Sequence, residues 1–179
     1  LLESSPRHNG LMPARASTLR GAARVIDGVA VAATSAFAGG ALVSQTVVVP
    51  NWRAMEPAVF LARFPITGPA TGATVFPFEL CSVLLLGIVT HSAVKRRRSG
   101  RLTWALATAC MLGTFVLLIY FVPTNLALLN PAFPPQAVSA ELATWYRWNW
   151  VRTGLGLAAA VLACTALIVD RSENARARS

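Results

Sequence analysis

Charge and soft metal ligands are both scarce in this sequence. Asp, Glu, Lys and Arg make up 13% of the chain and hydrophobic residues 55%, whereas about a quarter of an ordinary soluble domain is charged. That balance excludes a water-covered globular surface for most of the chain. Only seven Asp and Glu, two His and three Cys occur among the 179 residues. Cys81, Cys110 and Cys164 are odd in number and lie in different apolar runs, so they specify neither a disulfide framework nor a zinc motif. They read as small buried hydrophobes. His8 lies in the polar amino-terminal stretch and His91 at the end of an apolar run, too few for a copper, zinc or haem site of usual type. No metal-ligating residue and no cofactor is expected.

Nor is there a basic face with interleaved aromatics, despite a net charge of +9. The basic residues come in short clusters between apolar runs, which excludes nucleic acid as a partner. What the chain does have is four long apolar stretches, at about 25–49, 74–94, 102–122 and 150–169. Each is long enough to cross a hydrocarbon core of about 30 Å, which takes roughly 20 helical residues. Helices are the solution because lipid offers backbone groups no partner. The first stretch ends in "TVVVPNW", without the small-residue cleavage site of a signal peptide.

The expected fold is an all-α integral membrane four-helix bundle. Basic tails at 1–24 and 171–179 flank a membrane domain at 25–170, and two long Pro-rich loops at 50–73 and 123–149 lie outside. Charge orients it. Twelve basic residues fall in the two tails and in the tight turn "KRRRSGR"; four (Arg53, Arg63, Arg147 and Arg152) fall at the other end. The positive-inside rule then puts both termini in the cytoplasm of a multi-pass protein of the inner (plasma) membrane. Small residues recur every fourth position in the first span (Gly28, Ala32, Ala36, Gly40, Ser44) and on one side of the fourth (Gly156, Ala159 or Ala160, Ala163). Such seams are what helix packing in lipid uses.

Ionisable residues inside apolar spans call for an explanation, because each costs about 2.5–3.5 kcal/mol at the centre of a span. Asp27 lies about one turn from Arg24, so a local ion pair accounts for it. Glu79 and Arg152 sit at similar depth in the second and fourth spans and should attract each other. They form either a structural clamp or the charged part of a polar pocket, in which Arg152 binds an anion and Glu79 handles a proton. Gln45, Asn125 after the helix-disturbing Pro123, and Trp145, Trp148 and Asn149 are expected at the same mouth. Aromatic walls with a few convergent donors suit an aromatic ligand.

The segments "VPTNLALL" (with Pro123 and Asn125) and "WYRWNWVRTG" (with Trp145, Trp148, Asn149 and Arg152) carry a resemblance. In an order of four spans with a long first outer loop, the chain resembles the anthrone oxygenase-like membrane family over roughly residues 25 to 170. The resemblance implies a cofactor-poor oxygenase that turns a hydrophobic anthrone- or quinone-like aromatic into its oxidised form without metal or flavin. Glu79 and Arg152 would then be catalytic, and Gln45, Asn125, Trp145, Trp148 and Asn149 would bind substrate. The alternative is a non-catalytic accessory subunit that packs through its small-residue seams on another membrane protein or on a second copy of itself, within the lipid bilayer.

Overall fold

The computed structural model describes the backbone of residues 11–176, with side chains for residues 21–173, 175 and 176. The basic stretch with Arg7 and His8, and Arg178 at the other end, lie outside the described residues. Among the described residues every regular element is helical. α1 spans Leu11–Val43 and runs through a π-helical stretch, Ser44–Val48, into the short α2, Val49–Arg53. Then come α3 (Pro57–Lys95), α4 (Arg101–Val116), α5 (Leu118–Leu128) and α6 (Pro135–Arg176). Four helical stretches are long and apolar enough to cross a membrane: Gly21–Arg53, Pro57–Lys95, Arg101–Leu128 and Pro135–Glu173. The chain is therefore a multi-pass membrane protein built as an all-α four-helix bundle.

α1 packs on α3 and α6, and α4 packs on the same two, so the four spans close a ring. Closeness follows from small residues: a Cβ at Gly156 would come within 2.8 Å of the Phe37 ring. On α6 the seam Gly156, Ala159 and Ala163 is buried as expected. On α1 it is not. Ala32 and Ala36 are exposed, and the packed stripe is Ala30, Thr34, Phe37 and Ala41. A strict four-residue repeat drifts about 40° per step on a helix of 3.6 residues per turn, so no single face can hold all five small residues. The cysteines differ too: Cys81 and Cys164 are exposed on the apolar outer surface and Cys110 is half-buried. A lipid-facing cysteine serves as well as a buried one, because hydrocarbon lies on both sides.

The two Pro-rich connections, expected as long loops, are mostly helix. α3 is 39 residues long, roughly 58 Å at about 1.5 Å per residue, and it continues through Pro65, Pro69 and Pro77. Pro65 and Pro69 are one turn apart, so the missing donors fall on one side and the remaining hydrogen-bond rows persist. The start is fixed by Glu56, whose carboxylate accepts from Ala58 N (2.9 Å) and Val59 N (3.1 Å), with Pro57 opening the helix. α6 likewise begins at Pro135, which leaves breaks only at 54–56 and 129–134. The projecting helix ends form a cap with its own apolar core, including Val49, Trp52, Phe60, Phe64, Phe121, Leu128 and Trp145. A second core, around Phe37, Leu86, Trp104 and Met111, fills the membrane bundle below it.

At the opposite end, the turn between α3 and α4 is a Schellman-type close. Arg98 N donates to Ala93 O (2.9 Å) and Arg97 N to Val94 O (3.1 Å), with Arg97 left-handed at φ 52°. The close delivers Arg98 between two helices. Its guanidinium meets Asp27 of α1 and Asp170 of α6, each at 2.6 Å. The local Asp27–Arg24 pair expected from the sequence is thus replaced by a long-range one. Asp170 also accepts from Gly100 N and from Trp104 Nε1, both at 2.9 Å. Burial by itself would lower the Arg98 pKa, but hydrogen bonding to Asp27, with the charges of Asp27 and Asp170, leaves it raised above the ordinary arginine value. A raised cation contributes stability below its unfolded pKa and loses it only above the folded one, so this clasp stays charged far into alkali.

Candidate functional site

Between the two cores lies a polar layer. At about 100° per residue, Trp145, Asn149 and Arg152 fall within a narrow stripe on α6 that faces inward, while Trp148 lies about 60° to one side. Arg152 reaches Glu79 of α3, with Nη2–Oε2 at 2.5 Å and Nε–Oε1 at 3.4 Å. Glu79 is fully buried. The two ionisable residues that matched in depth are therefore in contact. Arg152 is further held between aromatic faces, 5.1 Å from the Phe37 ring centroid and 5.6 Å from that of Phe121. A guanidinium held by a fork of carboxylate oxygens and by ring faces has a fixed direction as well as a neutralised charge.

The π-helical stretch sets the second contact. Val49 N bonds Ser44 O, five residues back, just before Pro50, which has no N–H to give. The widened turn buries Ser44 and Gln45. Gln45 Oε1 accepts from Asn149 Nδ2 at 2.6 Å, and Gln45 Nε2 donates to Tyr146 O at 3.4 Å. Asn149 Oδ1 is buried without a hydrogen-bond donor. At one end of the stripe, Trp145 Nε1 donates to Asn125 Oδ1 at 3.2 Å, which ties α6 to the Pro123-bearing helix α5.

A cavity of about 370 Å³ opens at this level, a size in the range of small-molecule sites. Asn125, Trp145 and Arg152 line it, together with Ser44, Trp52, Phe64, Thr71 and Phe121. The structure thus brings three of the seven expected site residues to one surface. Gln45 and Asn149 lie behind it as a buried amide pair. Glu79 is also behind it: Arg152 occupies its oxygens and presents the guanidinium to the cavity instead. Trp148 is 43% exposed and meets Tyr120 of α5 at 6.2 Å, so it sits on the outer surface and not in the pocket. Its angular offset on α6 is the reason.

Sequence reasoning missed the upper wall. Trp52 packs edge-on to Phe64 (5.4 Å) and to Trp145 (5.9 Å), and Phe121 to Trp145 (5.1 Å). The signal was present as Phe64, Gly68, Gly72 and Phe76, a four-residue repeat, but all of it except Phe76 lies in a segment read as loop. Among the described residues no three His, Cys, Asp or Glu side chains gather as metal ligands. A family model described as anthrone oxygenase matches residues 69–162. That stretch contains Glu79, Asn125, Trp145, Asn149 and Arg152. No curated protein and no solved structure matches the chain.

Proposed function

The chain belongs to the anthrone oxygenase family, and from that premise we propose that the cavity oxidises a hydrophobic fused-ring ketone. One observation carries this reading: a guanidinium, held in place by a buried carboxylate, forms a wall of a largely apolar and aromatic chamber. A ring CH₂ between two aromatic rings is acidic because its carbanion delocalises onto the ketone oxygen. Arg152 and the Asn125 amide are positioned to stabilise that oxygen as charge develops on it. As the substrate's oxygen draws the guanidinium away, Glu79 loses its partner and takes up the proton through a relaying water. Dioxygen, which dissolves well in an apolar chamber, then reacts with the electron-rich ring. One of its atoms becomes the new carbonyl and the other leaves as water with the two hydrogens of the CH₂.

Purified protein should accelerate oxygen uptake with an anthrone. Arg152→Lys keeps the charge and loses the fork, and should slow turnover by roughly 10²–10³-fold, the usual effect of an oxyanion donor. Glu79→Gln keeps an acceptor for Arg152 but no base, and should cost about 10²-fold or more. If wild type matches the uncatalysed rate with several polycyclic ketones, the chain is an accessory subunit instead.

The twelve-to-four basic asymmetry supports termini in the cytoplasm of the plasma membrane and a cavity near its outer surface. With Cys81, Cys110 and Cys164 replaced, Ser139→Cys should react with an impermeant thiol reagent on intact cells and Ser99→Cys should not; both positions are exposed. The reverse pattern inverts the protein.

A further inference from the structure

The cavity has a door, and its position follows from where α3 and α5 part. These two helices touch little. At the lower edge of the cavity, Phe76 of α3 stacks on Phe115 of α4 at 6.4 Å and 28°. Above that contact α4 ends at Val116, and α5 follows after the single residue Leu117 with Pro123 inside it. Pro123 removes a hydrogen bond and crowds the carbonyl one turn back, which loosens α5 on this side.

The α3 side of the gap is bare. Gly68 and Gly72 both line the cavity, both are helical, and neither has a positive φ. Glycine in a helix costs about 1 kcal/mol relative to alanine, so each needs a reason. Gly68 has one in packing: a Cβ there would lie 2.6 Å from the Phe64 ring. Gly72 has none, because a Cβ there would meet nothing within 4 Å. What lies beside it is the opening.

Most of what flanks that opening is apolar. Phe76 is 41% and Val122 50% exposed, with Leu118 between them on the cavity wall. Ile119, next to Leu118, is 79% exposed. So much exposed apolar surface on two helices is tolerable only under lipid. The depth also fits: Tyr120, between Leu118 and Val122, touches the exposed Trp148, and exposed tryptophans of this kind mark the boundary between hydrocarbon and headgroups.

We propose that the substrate enters sideways from the bilayer, through the gap between α3 and α5, and that Gly72 sets the width of what passes. The occupant is a flat, membrane-dissolved fused-ring molecule with one polar end, which at boundary depth already lies edge-on to the gap. This rests on the cavity being a substrate site, but its first test does not depend on catalysis.

In proteoliposomes of the chain lacking native cysteines, Gly72→Cys is compared with Ser139→Cys. Pyrene maleimide dissolved in the bilayer should label Gly72→Cys at least tenfold faster than Ser139→Cys, and a charged, water-soluble methanethiosulfonate should show the opposite preference. Equal or faster labelling of Gly72→Cys by the charged reagent would mean that the mouth opens on water, which overturns the proposal whether or not the protein is an oxygenase. Anthraquinone should quench Trp52 and Trp145, which line the cavity. Gly72→Phe should weaken this binding roughly tenfold or more, the scale on which added bulk in an apolar site discriminates, and the smaller Gly72→Ala should weaken it less. Thermal unfolding of both variants should match the parent, since open space receives the new side chain. Wild-type binding by a folded Gly72→Phe would remove Gly72 from the door.

Discussion

Arg152→Ala should destabilise the protein by about 3–5 kcal/mol, the usual penalty for stripping one partner from a buried ion pair. The reason lies in Glu79. It has no exposure, both its oxygens are engaged by Arg152, and once alone it would be an uncompensated buried charge. The double change Glu79→Gln with Arg152→Met removes both charges and keeps most of the volume. It should cost clearly less than the sum of the two single changes. Thermal unfolding in detergent measures all three. Strict additivity would show that the two side chains do not depend on each other.

The second large effect belongs to the far end of the bundle. Asp170→Ala takes an acceptor from Gly100 N, from Trp104 Nε1 and from Arg98 together. Buried donors left unpaired cost about 1–3 kcal/mol each, so a loss of roughly 2–5 kcal/mol is expected, with Arg98 still held by Asp27. Because the clasp fastens the turn that holds Arg96, Arg97 and Arg98, trypsin should cut there markedly faster in the variant. Unchanged cleavage would mean that the Schellman-type close holds the turn unaided. Gly100 belongs to the same device: a Cβ there would lie 2.9 Å from both Ala166 O and Asp170 Oδ1.

The spans were legible because hydropathy in lipid is a one-dimensional property, and four runs suffice to define a four-helix bundle. The Glu79–Arg152 contact was legible for a related reason: two opposite charges at one depth have few other places to go. Asp27 was misread because local distance along the sequence was allowed to outweigh a turn that carries five basic residues back to the same depth. The cap was hidden by its prolines. In water they would end a helix, but Pro65 and Pro69 spend their missing hydrogen bonds on one side of a helix that neighbours support. Trp148 was misplaced because membership in an aromatic cluster says nothing about angle. A 60° offset on α6 separates a wall of the chamber from a marker of the membrane boundary.

The π-helical stretch at Ser44–Val48 makes α1 a device of phase. A widened turn holds one residue more than an α-turn over nearly the same rise. Everything beyond it is therefore rotated, by about 100°, relative to the same helix without the extra residue. Below the bulge, Phe37 and Ala41 keep step with α6; above it, Val49 and Trp52 keep step with the cap. Loss of a single residue between 44 and 48 would leave a continuous, well-bonded helix and an intact lower bundle. It would also turn Trp52 out of the chamber it roofs. The chain thus carries two helical frames of reference, and the chamber lies at the seam where one is re-indexed to the other.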